Sequence, residues 1–272
     1  MVASLAGVRH KLQRAEKHLA DLNAAIQRWG AAEQKTHPFV LDHQPQRKRM
    51  VIRHGKFAPD DPDWALIVGD IIHTLRSALD HIVCQLAILN GNDVSCCEAT
   101  YFPICICKPE FKKAEKRLKH LISAAAFARI EGLQPYHATD EGKRPASAFL
   151  WAIHHLDIID KHRILLIVGK KFRTIDLRYS VNEGPFISVG VDQSWRPMED
   201  GTEVASIDMT PLAAGAKPED KMRMQGGGTE AQVFIDETGC GCDGIEVVSA
   251  MSACIDRVSE IIEIFASEFF SS

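Results

Sequence analysis

Apolar residues open the chain at alternating three- and four-residue spacing: Leu5, Val8, Leu12, Ala15, Leu19, Leu22, Ile26 and Trp29. On a helix they form one stripe about eight turns long. Gly30 follows as its predicted end. The chain closes in the same way, with Val248, Met251, Ile255, Val258, Ile262, Phe265 and Phe269 in a second seam. Each stripe needs a partner, so the two terminal helices are expected to pack in one bundle.

Between them the pattern changes several times. Phe39, Val40 and Leu41 and then Met50, Val51 and Ile52 flank a polar, basic turn from Gln44 to Lys48, which predicts a β-hairpin within 36–55. Asp61, Pro62 and Asp63 form a helix start, and Asn90, Gly91 and Asn92 a stop, so a helix is predicted from Pro62 to about Leu89. A cysteine-rich loop follows to Cys107. Two shorter helices are expected over 109–120 and 121–131, ending at Gly132 and Pro135, and another over 145–163. From Ile164 to Asp243, Gly, Pro and Asn punctuate short apolar runs. Leu165–Val168, Thr174–Tyr179, Phe186–Val191, Thr202–Asp208 and Ala231–Asp236 predict strands there. Gly215 to Gly228 has few apolar anchors and predicts a mobile loop. The fold class is therefore α+β: a long-helix bundle with its N- and C-terminal helices packed together, plus a small antiparallel β-sheet insertion. The bundle takes 1–163 and 244–272, the insertion takes 164–243, and the whole is one composite domain.

Composition narrows the classes. A chain of 272 residues can bury a substantial core, and 46% hydrophobic with 25% charged residues is ordinary for a globular protein. A net charge of -4 argues against bulk polyanion binding but leaves room for a local basic patch. No run approaches the roughly 18 apolar residues of a membrane span. The first apolar stretch is too short, and too soon charged, for a secretory leader. A cytoplasmic protein with no membrane partner is expected, its eight cysteines held as thiols.

The 62–89 helix carries the most informative polar face. With His73 as reference, Asp70, Arg76, Ser77, Asp80 and His81 all fall within about 80° of it on a helical wheel. Ile71, Leu75, Ala78, Leu79, Ile82 and Leu86 take the opposite side. A solvated face usually carries Lys and Glu, and this one has neither. Histidine, aspartate, arginine and serine suit proton transfer, phosphate contact or metal ligation. A plain solvated face of an amphipathic helix is the competing reading.

Arg76, four intervening residues and His81 resemble the Arg-x4-His motif of HEPN-type helical ribonucleases and toxins. Ser77 stands where that family often has Asn, Asp or His after the arginine. The resemblance covers roughly 60–90. It implies a small helical bundle, a homodimer whose two motifs meet across the interface, and RNA cleavage without metal or other cofactor. His81 would then act as general acid or base on the 2′-hydroxyl or the leaving oxygen. Arg76 would stabilise the phosphorane-like transition state, with His73 and Asp80 as further catalytic candidates and Asp70 and Ser77 in support. The chain is also similar to a set of bacterial proteins without an assigned activity. They share a Leu-Arg-Ser-Ala-Leu-Asp-His helix (75–81), Phe-Pro-Ile (102–104), Leu-Gln-Pro-Tyr (133–136) and Asp-Lys-His-Arg (160–163).

The 149–163 helix is apolar around its whole circumference, yet it holds His154, His155, Asp157, Asp160, Lys161, His162 and Arg163. Buried ionisable groups need partners. Either they pair with the polar face of the 62–89 helix and set the bundle register, or His155, Asp157, Asp160 and His162 support the Arg76 and His81 site. Asp70 with His73 and His154 with Asp157, each one turn apart, leave a metal-dependent hydrolase open as an alternative. A non-catalytic binding or structural module is the other. Cys96-Cys97, Cys105-x-Cys107 and Cys240-x-Cys242 are tighter than zinc-ribbon spacing. Lys112, Lys113, Lys116 and Arg117 belong to the densest basic run, able to follow an RNA backbone or simply to face solvent.

Overall fold

The helices begin and end where local chemistry dictates. In a computed structural model of the chain, the residues described are 2–36, 40–47, 49–53, 55, 63–93, 99–137, 146–162, 168–181, 187–188, 196–197, 201–208, 222–236 and 239–270. They give, in order, α1 (Ala6–Thr36), β1 (Val40–Gln44), β2 (Arg49–Arg53), α2 (Asp63–Leu89), α3 (Lys108–Leu118), α4 (Ala124–Gly132) and α5 (Ala146–His162). Then follow β3 (Val168–Val181), β4 (Ile187–Ser188), β5 (Arg196–Pro197), β6 (Glu203–Asp208), β7 (Met222–Ile235) and α6 (Val247–Phe269). The fold is α+β and dominated by helices. None of the described helices is long and apolar enough to cross a membrane.

The chain divides into two compact units. The first comprises 1–24, 62–168 and 235–272. In it α2, α5 and α6 pack on one another, and Ile72, Leu75 and Leu79, Ile153 and Leu156, and Val258, Ile262 and Phe265 are buried from the three helices. Each such side chain contributes about 1.5–3 kcal/mol on burial. The first helix adds Val8, Ala15 and Leu22 to the core. Its Arg9 pairs with Glu263 of α6 through two contacts, one of them 3.1 Å, so the terminal helices are packed together. That exposed pair is worth under about 1 kcal/mol, so the apolar stripes do the holding.

Most predicted ends agree with the structure to within a few residues. Gly91 stops α2 with φ of 87°, a backbone region that suits glycine, and Asn92 then donates its side-chain amide to the Leu121 carbonyl at 2.7 Å. Ser123 caps α4, accepting the Ala126 N–H at 3.2 Å, which is why that helix starts later than the apolar pattern suggested. Gly30 does not end α1, which continues to Thr36. A glycine with ordinary helical φ costs only about 1 kcal/mol, too little to break a long helix.

The second unit comprises 25–61 and 169–234. The predicted hairpin is there, β1 pairing antiparallel with β2 in the register Val40 to Arg53 and Gln44 to Arg49. Its other edge was not foreseen. β2 also pairs with β6, Met50 opposite Ile207, giving the order β1-β2-β6. The hairpin therefore belongs with the β region, not with the bundle segment 1–163. Met50, Val51 and Ile52 are buried in succession, the pattern of a strand covered on both faces and paired on both sides. A second sheet has the order β4-β3-β5, with β7 also on β3. β7 begins at Met222, so the expected loop 215–228 is strand from there on, and 215–221 lie outside the described residues. Backbone pairing needs no apolar side chains, which is why composition misread Gly226 to Gly228. Of the expected strand 165–168 only Val168 is described, as the first residue of β3.

Candidate functional site

Residues 101–105 have no regular secondary structure; Tyr101 is exposed, and Phe102, Pro103, Ile104 and Cys105 run through the interior of the first unit. Their backbone groups must find side-chain partners. Arg76 donates Nη2–H to the Phe102 carbonyl at 2.6 Å and lies 3.0 Å from Asp80, one turn along α2. Asp80 in turn accepts the Phe102 N–H at 2.7 Å. Gln134 accepts from Cys105 N–H at 2.9 Å and donates to the Pro103 and Ile130 carbonyls, each at 2.9 Å. The stretches 75–81, 102–104 and 133–136 thus meet in one clamp. Arg76 is only 7% exposed, and its Nη1 has no hydrogen-bond partner among the described residues. Burial raises the Asp80 carboxyl, against the pull of Arg76 and the Phe102 N–H.

His81 turns to a different neighbour. It packs on Gly7 of α1 so closely that a Cβ there would sit 2.9 Å from His81 Cε1. Its Nδ1 is buried without a partner among the described residues. Burial first, then the nearby Lys11 charge, lowers its pKa. Five residues along a helix is about 140° of rotation, so α2 directs Arg76 to the 101–105 segment and His81 to α1.

His73 lines an open groove of about 290 Å³ between α1 and α2, with Asp70, Thr74 and Ser77 on its own side and Lys11, Arg14 and His18 opposite. Lys11 Nζ donates to Ser77 Oγ at 2.9 Å. His73 is 61% exposed at its side chain, but its Nδ1 lies 3.2 Å from Oδ1 of Asp157, which is only 4% exposed. The other Asp157 oxygen accepts from Lys161 at 2.6 Å. Asp160 covers Gly69, where a Cβ would meet its Oδ1 at 2.5 Å, so the carboxylate sits against α2 in space that a side chain at position 69 would take. Burial first, then Asp157, raises the Asp160 carboxyl. The α5 charges therefore reach the α2 polar face through Asp157 and Asp160. His155 instead packs at a tilt against Trp151, ring centroids 5.5 Å apart, and His162 is exposed.

His154 is pushed down to about 4, by burial first and the Arg76 charge second. The unfolded chain then binds a proton more readily than the folded one. The stability His154 contributes is present above its ordinary 6.5 and is lost as pH falls toward about 4. Wild type is expected to lose more unfolding free energy than His154→Gln between those pH values, measured by urea melts. Parallel slopes for the two proteins would reject this account.

On α3, Lys112, Lys113 and Lys116 are exposed. Arg117 is not free in the same way. It lies 3.3 Å from the centroid of the Tyr101 ring and donates to the Tyr101 carbonyl at 3.0 Å and to the Ala99 carbonyl. Cys96 and Cys97 fall outside the described residues. Cys105 is buried and Cys107 precedes the first turn of α3. Among the described residues no group of three or more His, Cys, Asp or Glu is arranged to hold a metal ion.

Lys11, Arg14 and His18 were not singled out from sequence. Their spacing of three and four residues puts them on one side of α1, a cationic row that the apolar stripe drew attention away from. No family model, curated protein or solved structure matches the chain.

Proposed function

We propose that the groove between α1 and α2 binds the phosphodiester of RNA and cleaves it without a metal ion, with His73 as general base. The contact between His73 Nδ1 and the buried Asp157 carboxylate carries this reading. Such a carboxylate fixes the tautomer and leaves Nε2 as the basic nitrogen, on a ring that lines the groove. Nε2 takes the proton of the ribose 2′-hydroxyl, and the 2′-oxygen attacks phosphorus. The bond from phosphorus to the 5′-oxygen breaks, and His18 on the facing wall, whose Nε2 is buried, gives that oxygen a proton from Nδ1. The products are a 2′,3′-cyclic phosphate and a 5′-hydroxyl. Lys11 and Arg14 oppose the charge that builds on the non-bridging oxygens. Relative to the Arg-x4-His family, the chemistry moves along α2 to His73, while Arg76 and His81 shape the helix surroundings.

A second reading, a module that binds RNA without cutting it, is favoured by the Lys161 bond to Asp157, which shares the carboxylate's charge. End-labelled single-stranded RNA incubated with the full chain in excess EDTA separates the two. Wild type is expected to release cyclic-phosphate ends, and the Lys11→Ala/Arg14→Ala double variant to bind at least about tenfold more weakly at low salt. Binding without cleavage supports the second reading. No binding by wild type, or equal binding by both proteins, removes the groove from consideration.

A further inference from the structure

The turn between β7 and α6 holds a pair of thiols that the groove chemistry does not use. Cys240 and Cys242 are both fully buried, and their sulfurs lie 3.4 Å apart. The residue between them, Gly241, has φ of 83°, which curls the backbone so that two side chains one residue apart face each other. The same curl brings Gly241 so close to α5 that a Cβ would lie 3.0 Å from the Ala148 carbonyl oxygen. Trp151, one turn further along α5, also holds the turn, donating Nε1–H to the Gly239 carbonyl at 3.1 Å. The thiols lie one residue beneath the surface, since Gly239, Asp243 and Gly244 around them are exposed.

We propose that Cys240 and Cys242 are a peroxide-reactive dithiol that closes to an intrachain disulfide. The Cys240 thiolate attacks one oxygen of hydrogen peroxide, giving a sulfenic acid and, after protonation, water. The Cys242 sulfur then attacks the sulfenic sulfur, the S–O bond breaks, and a second water leaves. Two thiols and one peroxide become one disulfide and two waters, the two electrons passing from sulfur to peroxide. Closure needs the sulfurs to move from 3.4 Å to bonding distance, about 2.0 Å, within one turn. The order of attack follows from the hydrogen bonding. The hydrogen bond shared by the two thiols lowers the Cys240 pKa and raises that of Cys242, and the Cys242 backbone N–H, donated to Cys240 Sγ at 3.4 Å, favours the Cys240 thiolate further. Cys105 and Cys254 are held as thiols by burial.

The test treats the full native chain with a small excess of hydrogen peroxide, quenches, unfolds and alkylates it, and maps the cysteines by peptide mass spectrometry. Cys240 and Cys242 are expected to lose alkylation together, with the loss of two hydrogens from their peptide, reversed by dithiothreitol. They should react at least about tenfold faster than Cys105. In Cys242→Ser the reaction should stop at a sulfenic acid on Cys240, trapped by dimedone. Two freely alkylated thiols after peroxide in wild type, or earlier oxidation at Cys84 or Cys107, would overturn the proposal. Neither outcome depends on RNA cleavage.

Discussion

Arg76→Ala is expected to lower the unfolding free energy by about 3–5 kcal/mol, read from urea melts of the two proteins. The guanidinium is 7% exposed and holds both the Asp80 carboxylate at 3.0 Å and the Phe102 carbonyl at 2.6 Å. Without it the half-buried carboxylate is left with the Phe102 N–H, and the buried Phe102 carbonyl loses its donor. A loss of that size is a large share of the roughly 5–15 kcal/mol that holds a typical domain together. The Arg76→Ala/Asp80→Ala double variant should lose less than the sum of its two single variants, because the pair shares one interaction. A variant that keeps wild-type stability but loses RNA cleavage would instead put Arg76 in the chemistry, as the Arg-x4-His resemblance implies.

His73→Ala is expected to do the reverse: about 10²–10⁴-fold slower cleavage with a stability change too small to matter. The ring is 61% exposed, so its removal empties no core. RNA affinity should hold, since Lys11 and Arg14 remain. Asp157→Asn is expected to slow cleavage as well, because a neutral amide no longer stabilises the imidazolium that forms. It also disturbs Lys161, so its melt must be measured beside its rate. Unchanged cleavage by His73→Ala would dismiss the proposed base, whatever Asp157→Asn does.

The candidate site was half legible. The helical wheel of α2 placed Asp70, His73 and Ser77 together, and the polar residues of an otherwise apolar α5 pointed to Asp157 as a partner. The wheel also grouped Arg76 with His81, and there it misled. Points within 80° of a common reference can lie nearly twice that far from each other, and two other elements, α1 and the 101–105 segment, claim the two sides. Lys11, Arg14 and His18 carried a signal in their spacing, but a cationic row on a long helix means little until something with histidines faces it.

The fold divides along the same line. The two terminal stripes, the start and stop of α2, the hairpin turn and the α+β class were all readable in the residue pattern. Each depends on interactions among residues a few positions apart: the 3.6-residue period, and a glycine that can turn left-handed. Three features were not readable: the pairing of β2 with β6, the clamp of Arg76, Asp80 and Gln134 on a buried irregular segment, and the cationic wall opposite His73. Periodicity says which side of an element wants cover. It does not say which distant element supplies it, because that choice rests on long-range packing and on buried backbone groups finding partners.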